Sequence, residues 1–183
     1  MDGPSFTMRV RVAVAPRGDE FPREDEALGR AMFARLVKRL ERGPVAPAVI
    51  VLREDRAQIV DLRPMLARGR DAHRLVAALA GGEGVEAIAV VGIVNRRRRG
   101  APAVERYGGV FVEWSDGRWW AAFRPLDDAM RLVPTDMDDV SRAVDGQARP
   151  GGLGGWFSRA RFQGLRAEIR VDAPPPPPAE VVN

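Results

Sequence analysis

The chain contains no cysteine, one histidine and one tyrosine, and of its 29 basic residues only Lys38 is a lysine. Each scarcity removes a chemistry. Without thiols there are no disulfides, thiolate metal sites or cysteine nucleophiles. With one lysine and one histidine, Schiff-base and imidazole-relay mechanisms lack most of their parts. No apolar run approaches the roughly 20 residues of a spanning helix, and residues Met1 to Thr7 lack the basic and apolar regions of a signal peptide. These absences point to a soluble cytoplasmic protein, with no cofactor, no bound metal and no catalytic residue to nominate, and so away from an enzyme.

What is abundant is arginine. Twenty-nine basic residues against 25 acidic ones leave a net charge of only +4. The sequence pI near 10.7 follows from that small excess, because arginine does not titrate below about pH 12. It is weak evidence for nucleic acid. A length of 183 residues suits one domain with a tail and is enough to bury a core without covalent staples.

The hydrophobic pattern predicts an α+β, or mixed α/β, chain: a single sheet of about six strands with two main helices packed on it and a looser C-terminal segment. Val10, Val12 and Val14 alternate with Arg9, Arg11 and Ala13 as in a half-buried strand. From Glu24 to Arg42 the residues Leu28, Met32, Leu36 and Leu40 form one stripe, with acidic residues at the helix start and basic ones at its end. Ala48 to Leu52 and Gln58 to Leu62 form a hairpin. Asp71 is an N-cap for a second helix that ends at Gly81 and Gly82. Val85 to Val94 is nearly all apolar, as a central strand covered on both faces should be.

Val104 to Trp114 and Arg118 to Phe123 then pair across Asp116-Gly117, read as a two-residue turn. That register sets Val110, Val112, Trp114, Trp119, Ala121 and Phe123 on one side. Phe111, Glu113, Arg118, Trp120 and Arg124 fall on the other. Thr135 and Asp138 resemble a capping pair ahead of a short helical stripe of Met137, Val140 and Val144, and Ala167 to Val171 reads as a closing strand. The expected organisation is a globular domain over 1–145, a glycine linker with an aromatic, basic segment over 146–173, and a disordered proline-rich tail over 174–183.

Three constellations are candidates for function. The hairpin side bearing Phe111, Trp120, Arg118 and Arg124 combines aromatic planes with guanidinium groups, a combination that single-stranded nucleic acid or a protein hot spot would use; burial of Trp120 under the C-terminal segment is the competing and slightly favoured expectation. Trp156, Phe157 and Phe162 follow the glycine linker and either fold back to complete their own core, the commoner outcome, or dock a partner groove or a membrane surface. Arg96, Arg97, Arg98 and Arg99 crowd a loop between two strands, a candidate nucleic-acid contact. His73 reads as an ordinary helix-flank residue. Asp127, Asp128, Asp136, Asp138 and Asp139 read as a solvated acidic loop rather than a Mg²⁺ site. The leading expectation is a non-enzymatic protein-binding or assembly module, self-associating or accessory to a larger complex. Nucleic-acid binding through the arginine loop is the alternative, and a carboxylate- or metal-dependent enzyme comes third. Contact with a membrane surface is not favoured.

Overall fold

The structure, a computed structural model, describes residues 5–9, 12–67, 71–97, 104–134, 139–142 and 153–170. Nine strands and four helices follow in the order β1 (Ser5–Arg9), β2 (Val12–Pro16), α1 (Asp25–Leu40), β3 (Ala48–Leu52), β4 (Arg56–Asp61), α2 (Arg63–Leu66), α3 (Ala72–Ala80), β5 (Ala87–Arg97), β6 (Val104–Trp114), β7 (Trp119–Leu126), β8 (Asp139–Arg142), α4 (Trp156–Gln163) and β9 (Arg166–Arg170). Seven strands form one antiparallel sheet in the order β2-β4-β3-β5-β6-β7-β8. The first and last strands, β1 and β9, form a separate parallel pair. The fold is α+β, with the apolar β5 at the centre of the large sheet.

Both faces of that sheet are covered. Because side chains alternate along a strand, Ile50, Leu52, Ala87, Ala89, Val110 and Val112 gather on one face, under Leu28, Met32, Phe33, Leu36 and Leu40 of α1. Val49, Val51, Ile88 and Phe111 gather on the other, with Leu75, Val76 and Leu79 of α3 and with Trp156 and Phe157 of α4. Asp71 caps α3 as expected, its carboxylate accepting from the backbone N–H groups of His73 and Arg74 at 2.9 and 3.2 Å. Helix α1 lies so close to the sheet that a Cβ on Gly29 would overlap the Trp120 ring, and one on Gly108 would meet Leu40. Ahead of α1, the guanidinium of Arg17 holds the loop by donating to the carbonyls of Phe21, Pro22 and Arg53. Its burial pulls it below the usual arginine value, and nearby Glu86 counters that pull.

The β6–β7 turn corrects the expected register. Gly117 N–H donates to the Trp114 carbonyl, and Trp114 N–H donates to the Arg118 carbonyl. Ser115, Asp116 and Gly117 thus make a three-residue loop, with Gly117 at φ 93° in the left-handed position that closes such loops. Glu113 therefore faces Trp119, and Val112 faces Trp120. A slip of one residue turns every following side chain to the opposite face. Trp119, Ala121 and Phe123 lie on the Phe111 side, whereas Trp120 lies under α1.

The chain reversal after β7 is built the same way. Met130 N–H donates to the Asp127 carbonyl and Asp127 N–H to the Arg131 carbonyl. Here the left-handed position, at φ 63°, is occupied by Met130. That region costs an L residue about 1–2 kcal/mol, which makes Met130 the strained counterpart of Gly117.

Three further expectations are corrected. Asp139–Arg142 is a strand pairing with β7, not part of a helix, because the open edge of β7 offers hydrogen bonds that a short isolated helix cannot match. Val14 is exposed rather than half-buried, on β2 at the edge of the sheet. In β5, Val90, Val91, Ile93 and Val94 are only half-buried, as the helical cover thins beyond the sheet centre. Among the described residues no helix is long and apolar enough to cross a membrane.

Candidate functional site

The seven residues nominated for protein contact are dispersed by the fold. Phe111 is buried, stacking on Trp119 at 5.9 Å and meeting Trp156 edge-on at 5.3 Å. Trp120 is buried on the opposite face, beneath α1. Trp156 and Phe157 are buried in the chain's own core. Arg118 is exposed but held, its guanidinium bonded to Asp116 and Asp25 and lying over the Trp114 ring at 5.8 Å. Arg124 is half-buried at the far end of β7. Phe162 is the exception: it is 91% exposed.

The reason Phe162 stands out so far lies in a carboxylate to which the sequence reading gave no role. Glu113, one residue before the end of β6, is fully buried. Its two oxygens accept from the backbone N–H groups of Gly155 and Trp156 at 3.0 and 2.9 Å. Those donors belong to the first turn of α4, whose N-cap Gly155 has no side chain to satisfy them. An anion at a helix start also meets the positive end of the helix dipole. The segment 156–170 is thereby fixed to its own chain: Trp156, Phe157, Ala160 and Leu165 face inward, and the Leu165 carbonyl sits where a Cβ on Gly81 would be.

With its inner face pinned, α4 presents Ser158, Arg159, Arg161, Phe162 and Gln163 outward, and Arg166 follows on β9, also exposed. Arg159 lies one turn before Phe162 on the same side of the helix. The helix itself contains no acidic residue. The surface is thus a phenyl ring set among arginines on a rigid support.

The other candidates fall elsewhere. Arg96 and Arg97 belong to β5, their backbones paired with Glu105 and Val104 of β6, and the tip carrying Arg98 and Arg99 lies outside the described residues. Asp136 and Asp138 also lie outside them. Asp127 closes the turn after β7 by accepting from Arg131 N–H at 2.8 Å, and Asp128 is exposed beside it. His73 is exposed in the first turn of α3. No group of three or more histidine, aspartate or glutamate side chains among the described residues is placed to hold a metal ion.

Two recesses open on the α1 side. The smaller, about 230 Å³, is lined by Arg17, Arg23, Asp25, Glu86, Asp116 and Arg118 among others; Arg17 pairs with Glu86 and Arg118 with both aspartates, while Arg23 donates to the Glu54 carbonyl. The larger, about 580 Å³, separates the C-terminal end of α1 from Arg124 and the turn that carries Met130. No protein-family model matches this chain, and neither the curated proteins nor the solved structures provide a match.

Proposed function

We propose that the protein is a non-enzymatic protein-binding module whose docking element is the outer face of α4, with Phe162 as anchor. The observation that carries this reading is the 91% exposure of Phe162 on a helix that Glu113 pins from below. A scattered exposed aliphatic residue needs no explanation. A phenyl ring extended from a rigid helix is different, because docking it buries on the order of 150–250 Å² with little side-chain ordering left to offset. Such residues supply the anchor of an interface.

Charge selects the partner. Arg159 and Arg161 are exposed on the same helix as Phe162 and Arg166 on the strand after it, and two copies meeting through this face across a two-fold axis would bring the same arginines together. The complementary surface is acidic, with an apolar recess for the phenyl group. This favours a different protein, or a different face of a second copy, over symmetric pairing.

The test begins by placing a photo-crosslinking phenylalanine analogue at position 162 in cells that make the protein. The captured partner is then purified and titrated with the full-length parent chain. The reading requires affinity to fall with salt and to drop at least tenfold in Phe162→Ser and in Arg159→Glu/Arg161→Glu, with circular dichroism and thermal midpoint unchanged. A partner that binds these variants as tightly as the parent overturns it. So does binding of single-stranded poly(U) that these same substitutions abolish, since that would make the surface a nucleic-acid contact.

A further inference from the structure

The larger recess lies across the sheet from α4 and has its own sign and shape. Its volume, about 580 Å³, falls within the roughly 300–1,000 Å³ usual for small-molecule sites. Leu40, Met130 and Leu132 give it apolar walls, and among its described lining residues Arg42, Arg124 and Arg131 stand beside one acidic residue, Glu41. The recess adjoins the negative end of the α1 dipole, but Lys38 and Arg39 in the last helical turn offset that end. The balance favours an anion.

The conformation of Met130 is the second, independent observation. In the otherwise equivalent β6–β7 turn the left-handed position is glycine, which adopts it without steric cost. After β7 the same position carries a long thioether side chain, the only non-glycine residue with positive φ among the described residues. Methionine does not suit that backbone; its side chain gives the recess a polarisable wall and packs against the core cluster under α1. Backbone strain retained at one edge of a recess is a pointer to a ligand.

We infer that this recess binds a small amphipathic carboxylate, with its apolar part against Met130 and Leu132 and its carboxylate directed at Arg124 and Arg131. A planar guanidinium matches the two oxygens of a carboxylate, and the alternation of apolar wall and arginine suits a ligand with one apolar and one anionic end.

The probe is decanoate, kept below its micelle concentration and titrated into the full chain carrying ¹³C-methyl methionine. Calorimetry measures affinity, and the Met130 methyl resonance reports location. The inference expects saturable one-to-one binding, a shift of the Met130 methyl signal, and at least a tenfold loss of affinity in Arg124→Gln and in Arg131→Gln. Decan-1-ol should bind at least tenfold more weakly than decanoate. Arg131 is exposed, so its variant keeps the test available if Arg124→Gln fails to fold. The inference is overturned by absent saturation, by affinity unchanged in Arg131→Gln, or by decan-1-ol binding as tightly as the carboxylate.

Discussion

Replacing Glu113 with glutamine should weaken the whole C-terminal closure of the fold. The carboxylate accepts two backbone hydrogen bonds, and bonds to an ionised acceptor are worth about 1.5–3 kcal/mol each. Against them stands the cost of keeping the carboxylate out of water, several kcal/mol. Glutamine keeps the volume and one accepting oxygen, but its NH₂ faces a backbone N–H, so one buried donor is left unsatisfied beside another. We expect a net loss of about 2–4 kcal/mol, a large share of the roughly 5–15 kcal/mol that holds a domain of this size. Urea unfolding followed by tryptophan fluorescence measures it. Hydrogen exchange locates it: the amides of Gly155 and Trp156 should lose protection before those of α3. A midpoint within about 0.5 kcal/mol of the parent, the usual range for surface substitutions, or unchanged protection at Gly155 and Trp156, would refute the role assigned to Glu113.

Alanine is a better helix former than glycine by about 1 kcal/mol, yet Gly29→Ala should lower the thermal midpoint, by a loss of about 1–3 kcal/mol, because the added methyl meets the Trp120 ring; a stabilised variant would show that α1 does not approach the sheet this closely. Asp61 accepts from the guanidinium and the backbone N–H of Arg63, and those bonds hold its carboxyl below the usual carboxylate range. Its folded pKa is thus lower than its unfolded one, so its contribution is complete above the ordinary carboxylate range and is lost as pH falls through the folded value. Asp61→Asn should flatten the acid limb of a stability-against-pH curve, and an acid limb identical to the parent's would exclude the pair as a contributor.

The elements that reveal themselves in the sequence are those whose causes are local. The α1 stripe needs only its own four-residue spacing, and the Asp71 cap needs only the amides of His73 and Arg74 within the next three residues. The centre of the sheet is legible for a similar reason, since an unbroken run such as Ile88 to Val91 is soluble only between two layers. The hairpin register is not legible in the same way. Asp116-Gly117 serves a two-residue or a three-residue turn, and the choice depends on whether the flanking Trp119 or Trp120 finds the better pocket, Trp120 under Gly29 and Trp119 against Phe111. Glu113 is hidden for a deeper reason. A glutamate in an alternating strand reads as solvent-facing, and its partners, the amides of Gly155 and Trp156, have no side-chain signature at all. Of the nominated contact surface, Phe162 alone was both named from the sequence and found almost wholly exposed, because its neighbours in the pattern, Trp156 and Phe157, use the inward side of the same helix.

The pairing of β1 with β9 joins residues far apart in sequence, and this sets an order of events during synthesis. While ribosomal elongation proceeds, the large sheet can assemble from β2 through β8, each strand finding a neighbour already made or soon to appear. β1 has no such neighbour and must wait, its edge open, until β9 emerges. The loop to be closed runs from β1 to β9, and the entropy of closing it grows only slowly with length, so the delay is kinetic more than energetic. A chain lacking α4 and β9 would display an unpaired β1 together with a Phe111 without Trp156 and a Glu113 with no helix to cap, the open edge and exposed apolar surface that make incomplete folds prone to aggregate.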